Sequence, residues 1–307
     1  MKFTEPSIEW WQQTTLAQHI ARVGRICYKA KGKQPEEGMT EEEVEAFIQK
    51  RDEERCKGFW DSGHRSMYRH GTVYFFMPNE KGLPNYIWAY LNASPYIDYA
   101  TKNHKVWIST NMQFMLENMN LMDALRSYGV SEDEFIEKAQ KYECEEAFSI
   151  IRMTMVVTTQ ISTSRELNRT SPNSIAEQST RYCNLEKKGG VQITLPHWYD
   201  EGTRWQRMVY GFVCRVCEWG YNRLLKAGLK PEDARGVLPL DTYTVVAYTY
   251  TIADWKNIID LRYHGTTGKP HPNAYLVAEL ICNKILERMR VYLPDFNITN
   301  IKTLCSN

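Results

Sequence analysis

Between Ser164 and Asn184 the chain reads SRELNRTSPNSIAEQSTRYCN, a stretch dense in arginines, hydroxyls and amides. It holds no sustained apolar period of either a helix or a strand. Arg165, Arg169 and Arg181 lie within a few residues of Ser171, Ser174, Ser179, Glu177 and Gln178. Arginine presents a planar fork of donors that meets phosphate or carboxylate in two parallel hydrogen bonds. A nucleoside monophosphate needs several such donors, with hydroxyls and backbone amides beside them. Arg181 and Ser179, together with the distant Arg235 and Arg262, supply that set if the fold brings their segments together. Glu177 and Gln178 could then read the polar edge of a base. By residue type alone, a solvated loop with helix-capping serines is the favoured reading.

The elements that must position these residues follow from periodicity. Leu16, Ile20, Val23 and Ile26 or Cys27 have helical spacing and predict a helix over Thr14 to Tyr28. TEEEVEAFIQKRDEERCKGFW begins with Thr40 and an acidic first turn, which marks a helix start. GTVYFFM, bounded by Gly71 and Pro78, reads as a strand, as do VWIST and IIRMTMVVTTQ. A long helix is expected over about Thr203 to Lys226, then the short segment PEDARGVLP and a strand TYTVVAYTYT. Helices near Asp254 to Arg262 and Asn273 to Arg290 close the pattern. Strands separated by long helices predict an α+β class with helices packed on a central sheet. The expectation is one domain over 1–307, with peripheral insertions at about 30–46 and 119–146.

Composition narrows the function. With 307 residues and 43% apolar content, the chain can build a sizeable core. Lys+Arg 38 against Asp+Glu 37 argues against general nucleic-acid coating, though a local basic pocket stays open. No signal-peptide pattern and no membrane-length apolar run are seen, and eight scattered cysteines read as reduced thiols, so a cytoplasmic protein is expected. Cys214 and Cys217 form a lone CxxC inside a helical pattern, which reads as packing rather than a metal site. GTTGK at Gly265 to Lys269 has too short a glycine spacing for a phosphate loop, and Pro270 stands where a hydroxyl is needed.

The order of residues does what their types cannot. SIAEQSTRYCN resembles the RHRxxSxNExSxRY signature of the flavin-dependent thymidylate synthases: Ser174, Glu177, Ser179, Arg181 and Tyr182 match at the right spacing, and Arg169 falls on the first arginine. HIARVGRICYKA is similar to the family's first helix, and SGHRSMYRHGTVYF to its GHxSxxEHxxFxF element. PEDARGVLP and WKNIIDLR match two further segments in order, so the resemblance spans about residues 16 to 290. The family's RHR reads Arg169, Thr170, Ser171 here, and its motif Asn is Ala176.

The resemblance implies an α+β subunit assembled as a homotetramer, with FAD and nucleotide at subunit junctions. It implies conversion of dUMP to dTMP with methylenetetrahydrofolate and NADPH as co-substrates, and neither nucleic acid, membrane nor metal ion as a partner. Glu166, Arg169, Glu177, Gln178, Ser179, Thr180, Arg181, Arg235 and Arg262 would bind the nucleotide, with Arg262 in the catalytic role. His70, Thr72, Arg169, Ser171, Glu177, Asn257 and His271 would contact the cofactor. Two alternatives stand beside it. One is an enzyme of the same scaffold that acts on another pyrimidine nucleotide or adds another C5 group, such as hydroxymethyl. The other is a nucleotide-binding protein that has lost catalysis.

Overall fold

Strand alternation, hydroxyl caps and one long antiparallel ladder organise the molecule. The structure, a computed structural model, describes residues 1–79, 82–169 and 173–301. Its strands are β1 (Lys2–Thr4), β2 (Ser7–Trp11), β3 (Thr72–Pro78), β4 (Ile97–Lys102) and β5 (Lys105–Asn111). They continue with β6 (Gly129–Val130), β7 (Arg152–Gln160), β8 (Ile175–Glu177), β9 (Gln192–Thr194) and β10 (Tyr243–Thr251). The helices are α1 (Leu16–Tyr28), α2 (Glu41–Asp61), α3 (Asn85–Ala93), α4 (Met112–Glu117), α5 (Met119–Leu125) and α6 (Glu132–Lys141). Then come α7 (Glu145–Ser149), α8 (Ile161–Leu167), α9 (Arg204–Lys226), α10 (Pro231–Ala234), α11 (Ile252–Arg262) and α12 (Pro272–Met289).

The central sheet has the order β2-β7-β10-β8. Strands β7 and β10 pair antiparallel from Arg152↔Thr251 to Gln160↔Tyr243. Period-two alternation then sorts their side chains. Met153, Met155 and Val157 join Val246, Tyr248 and Tyr250 in the main core, with Trp255 and Ile258 of α11 and Val277 and Ile281 of α12. The opposite face turns Val156 and Ala247 toward Val23 of α1. The expected α+β class is what the chain adopts.

A second antiparallel sheet, β4-β5-β3-β6, packs Phe75, Met77, Val106 and Ile108 against α3, α4 and α5. Two polar contacts tie it to the central sheet. Tyr74 Oη accepts from the Arg152 amide at 2.9 Å, and Arg152 pairs with Asp98 at 2.8 Å. Burial pushes the Asp98 carboxyl up to about 6, against the pull of Arg152. A short parallel pair, β1 with β9, lies beside α9.

The sequence reading made 119–146 a peripheral insertion, but the segment is part of the core packing. It buries Leu121, Leu125, Phe135, Ile136 and Ala139, because α5 and α6 each turn an apolar face to a core. Helix starts follow their caps: Thr40 with Glu43, Thr203 with Gln206 and Thr251 with Asp254 form reciprocal capping boxes. Replacing such a cap costs about 1 kcal/mol. Among the described residues no helix is long and apolar enough to cross a membrane.

Candidate functional site

The stretch that lacks an apolar period is less irregular than its composition suggests. Its start lies in α8, and Ile175–Glu177 becomes the edge strand β8, with Val246↔Glu177 and Tyr248↔Ile175 in register on β10. Three paired residues are too few for a period to be visible. Thr170 and Ser171 lie outside the described residues.

Beyond β8 the pairing continues through the Gln178 amide to the Val245 carbonyl at 2.9 Å, and the Ser179 amide bonds the Cys27 carbonyl at the end of α1 at 2.9 Å. The Ser179 hydroxyl then accepts from the amides of Arg181 and Tyr182 at 3.2 and 3.4 Å, closing a tight turn. That turn faces the 3-10 turn after α10. Arg235 Nη1 donates to Thr180 Oγ1 at 3.0 Å and Arg235 Nε to the Glu232 carbonyl at 3.1 Å. Arg181 Nη2 reaches Glu232 Oε2 at 3.5 Å, with the Arg181 side chain 55% exposed. Segments more than fifty residues apart thus bring two exposed guanidiniums, two hydroxyls and one carboxylate to one corner.

Arg262 and Glu166 form a second group. Arg262 Nε donates to the Glu166 carbonyl at 3.1 Å, and Arg262 Nη1 lies 3.8 Å from Glu166 Oε2. Among the described residues neither side chain contacts Arg181 or Arg235. Arg169 is exposed beyond the end of α8, its amide bonded to the Leu167 carbonyl.

Glu177 and Gln178 do not read one edge together, because consecutive strand residues face opposite sides. Glu177 Oε1 accepts from Ser164 and Thr244 hydroxyls, each at 2.9 Å. Burial raises the Glu177 carboxyl above its usual range, while the two hydroxyls and Arg165 pull it back. Gln178 is buried on the α1 side.

The residues expected at a cofactor are also divided. His70 ends the 3-10 turn Arg65–His70 and is 0% exposed. Its Nδ1 meets Thr249 Oγ1 at 2.8 Å, Thr249 meets Thr154 at 2.7 Å, and Thr154 meets His19 Nε2 at 2.9 Å. Thr154 and Thr249 are cross-strand partners on the α1 face. Burial, helped by neighbouring positive groups, lowers His70 to about 3 and His19 to about 4, so both rings stay neutral. The Nε2 of His70 makes no hydrogen bond among the described residues. His70 is therefore enclosed within the fold, where the sequence reading places it in contact with a cofactor.

Thr72 is held by Gln13, whose side chain both accepts from its amide at 2.8 Å and donates to its carbonyl at 2.9 Å. It borders a cavity of about 650 Å³ whose walls include Gln12, Tyr74, Met112, Met115 and Arg126. Asn257 is half-buried on α11, and the exposed His271 caps α12 by accepting from the Asn273 amide at 3.2 Å. These two helices cover the face of the central sheet opposite α1, so one copy does not gather all the expected contacts. Sequence reading missed Gln13 and the His19–Thr154–Thr249–His70 series. Alternating threonines in both strands were the available signal.

Residues 97–294 match the family described as thymidylate synthase complementing protein. A flavin-dependent thymidylate synthase of Tropheryma whipplei is 29% identical over 165 residues, which cover 48% of this chain and 68% of that one. One from Synechocystis is 25% identical over 147 residues, covering 45% and 68%. Among solved structures, the UMP/dUMP methylase PolB of Streptomyces cacaoi bound with 5-Br UMP has a TM-score of 0.40 and 24% identity, covering 51% of this chain and 80% of that one.

Proposed function

Because the chain belongs to the thymidylate synthase complementing protein family and its relatives are flavin-dependent thymidylate synthases, we propose that it converts dUMP to dTMP. The observation that carries this reading is the meeting of Arg181, Thr180 and Arg235, since Arg235 lies 3.0 Å from the Thr180 hydroxyl. A phosphate monoester at this corner would replace Thr180 as the partner of Arg235 and Glu232 as the partner of Arg181. Both are charge-assisted contacts in place of weaker ones. The Ser179 and Thr180 hydroxyls would complete the grip.

In this reaction the folate methylene carbon bonds C5 of the base, the C5 hydrogen leaves as a proton, and tetrahydrofolate departs. A bound flavin would supply the hydride that completes the methyl group, with NADPH as its source. Arg262 would stand at the polar edge of the uracil and stabilise negative charge that develops on the ring. Glu166 orients the Arg262 guanidinium through the contacts given above. The half-buried Glu177 carboxyl, with its raised proton affinity, suits hydrogen bonding to a sugar or base group that both donates and accepts.

The residues fit the flavin ring at one place. The Thr72 cavity is walled by Met112, Met115 and Met122, with Arg126 among its lining residues as a donor for a phosphate group. Thr72 would hold the cofactor from one copy, with Asn257 and His271 supplied by another.

A homotetramer in the cytoplasm is part of the same reading. The division of the arginines into two groups supports a site shared between copies. So does a stripe on α9 of exposed Trp205, Met208, Phe212, Val216 and Trp219, which recur at helical spacing. Phe212→Asp should lower the assembled mass in light scattering, and an unchanged mass would remove α9 from the interface. The reaction is tested by tritium release from C5-labelled dUMP with NADPH, FAD and methylenetetrahydrofolate. Release together with dTMP is expected. Release with a hydroxymethyl product would favour the altered C5 chemistry, and no release with intact nucleotide binding would favour the inactive binder.

A further inference from the structure

A cavity of about 590 Å³ between α1 and the start of β10 has no part in the reaction above. Its walls carry Arg22, Arg25, Lys29, Lys31 and Lys188. The first three are spaced three and four residues apart, so α1 sets them on one face. Lys29 then adopts a left-handed conformation at φ 45°, which ends the helix and turns Lys31 back to the same wall.

Two of the five cations have structural duties. Arg25 pairs with the buried Asp52, which Arg51 also holds at 2.8 Å. Lys188 donates to the carbonyls of Tyr28 and Lys29, the open end of α1, where a cation is favoured. Arg22, Lys29 and Lys31 have no carboxylate within ion-pair distance among the described residues. Arg22 lies over the Trp11 ring at 3.6 Å and feels Glu9 only at longer range. Lys29 stands 5.9 Å from the Tyr243 ring. Burial draws the Lys29 ammonium below its usual range, and Lys188 and Lys2 push the same way. Like charges gathered on a concave wall with aromatic sides, and too few carboxylates to match them, are what an anion site requires.

We propose that this cavity binds a small polyanion with adjacent phosphoryl groups, at a site separate from the Arg181–Arg235 corner. Gln178 lines the cavity while Thr180 meets Arg235, so the two sites use different residues of one short segment. The Ser179 amide bond to the Cys27 carbonyl anchors that segment to α1 between them. Binding here does not depend on the reaction proposed above. Tyr243 and Trp11 offer ring faces, so a nucleoside triphosphate and free tripolyphosphate are the two sources to separate.

The test is isothermal titration of the full chain at low salt with sodium tripolyphosphate and, separately, with a nucleoside triphosphate. Both should bind, the nucleotide more tightly if a ring also docks. The pair Lys29→Asn and Lys31→Gln should weaken binding by roughly tenfold for each cation removed, the scale of a lost charge-assisted contact. Asparagine tolerates the left-handed turn at residue 29, and circular dichroism checks the fold. Lys31→Gln alone, at an exposed position, gives the same direction if the pair does not fold. Arg181→Ala should leave unchanged the part of tripolyphosphate binding that the α1 variant loses. No binding to the parent chain would overturn the proposal. So would loss in Arg181→Ala with full binding in the α1 variant, since the anion would then sit at the other corner.

Discussion

The Arg181–Arg235 corner and the His19–His70 series were both built from residues that sequence pattern marks as chemical, and they could hardly differ more in setting. At the corner the two guanidiniums are exposed, Arg181 reaches one carboxylate at 3.5 Å, and Arg235 has neutral partners, the Thr180 hydroxyl and the Glu232 carbonyl. In the series both imidazoles are nearly fully buried, bonded through two threonines, and neutral. An exposed cation with loose partners can exchange them for a ligand at small cost. A buried ring cannot be moved without leaving a polar group unpaired. The proposed function therefore gives binding to the first region and support of the fold to the second.

The largest expected effect breaks the buried side. His70→Ala should lower stability by about 3 kcal/mol, from the cavity left behind and the lost hydrogen bond to Thr249. Urea melts measure this, and His70→Gln should recover part of the loss. A His70→Ala protein as stable as the parent would mean that the series does not support the fold.

On the exposed side the expected pattern reverses. Arg181→Ala should weaken dUMP binding by about 2 kcal/mol through one lost charge-assisted contact, with no fall in melting temperature. Titration calorimetry and thermal melts together decide it. A stability loss with unchanged affinity would exchange the roles of the two regions.

Acid should reach the buried side first. Both imidazoles have folded values below the ordinary 6.5, at about 3 and about 4. Their contribution is therefore complete above pH 6.5. It declines as pH falls from 6.5 toward 4, where the unfolded chain takes protons that the folded chain refuses. Each histidine contributes up to about 1.4 kcal/mol per pH unit in that window. Asp98, raised to about 6, acts in the opposite sense, so the comparison is between the parent and His70→Gln. The variant should have the flatter acid limb in urea melts at stepped pH, and parallel limbs would contradict the neutral assignment.

The smallest effect sharpens the contrast. Glu232→Gln frees Arg181 from an exposed ion pair, so nucleotide affinity should rise by about 0.5 kcal/mol. A fall in affinity, read by calorimetry, would mean that Glu232 orients Arg181 rather than competing for it.

What the sequence made legible divides along the same line. Long periodic elements were readable to within a residue or two: α9 runs Arg204–Lys226, and β10 runs Tyr243–Thr251. Caps such as Thr40 and Thr203 marked their own helices. Short elements were not readable, since β8 has three residues and draws its identity from pairing with β10. The site reading rested on order along the chain, which names residues without assigning faces. Strand parity turns Glu177 and Gln178 apart, and tertiary packing encloses His70. Local sequence encodes neither.

The central claim is that the Arg181–Arg235 corner of one copy and the Glu166–Arg262 pair of another make one site. Co-assembly of two differently tagged variants, Arg181→Ala and Arg262→Ala, tests it directly. Each variant alone should release little tritium from C5-labelled dUMP. Mixed assemblies isolated through both tags should regain part of the parent activity, because some junctions then combine an intact Arg181 with an intact Arg262. Mixed assemblies as inactive as either variant alone would contradict the account and place both arginines in the site of a single chain.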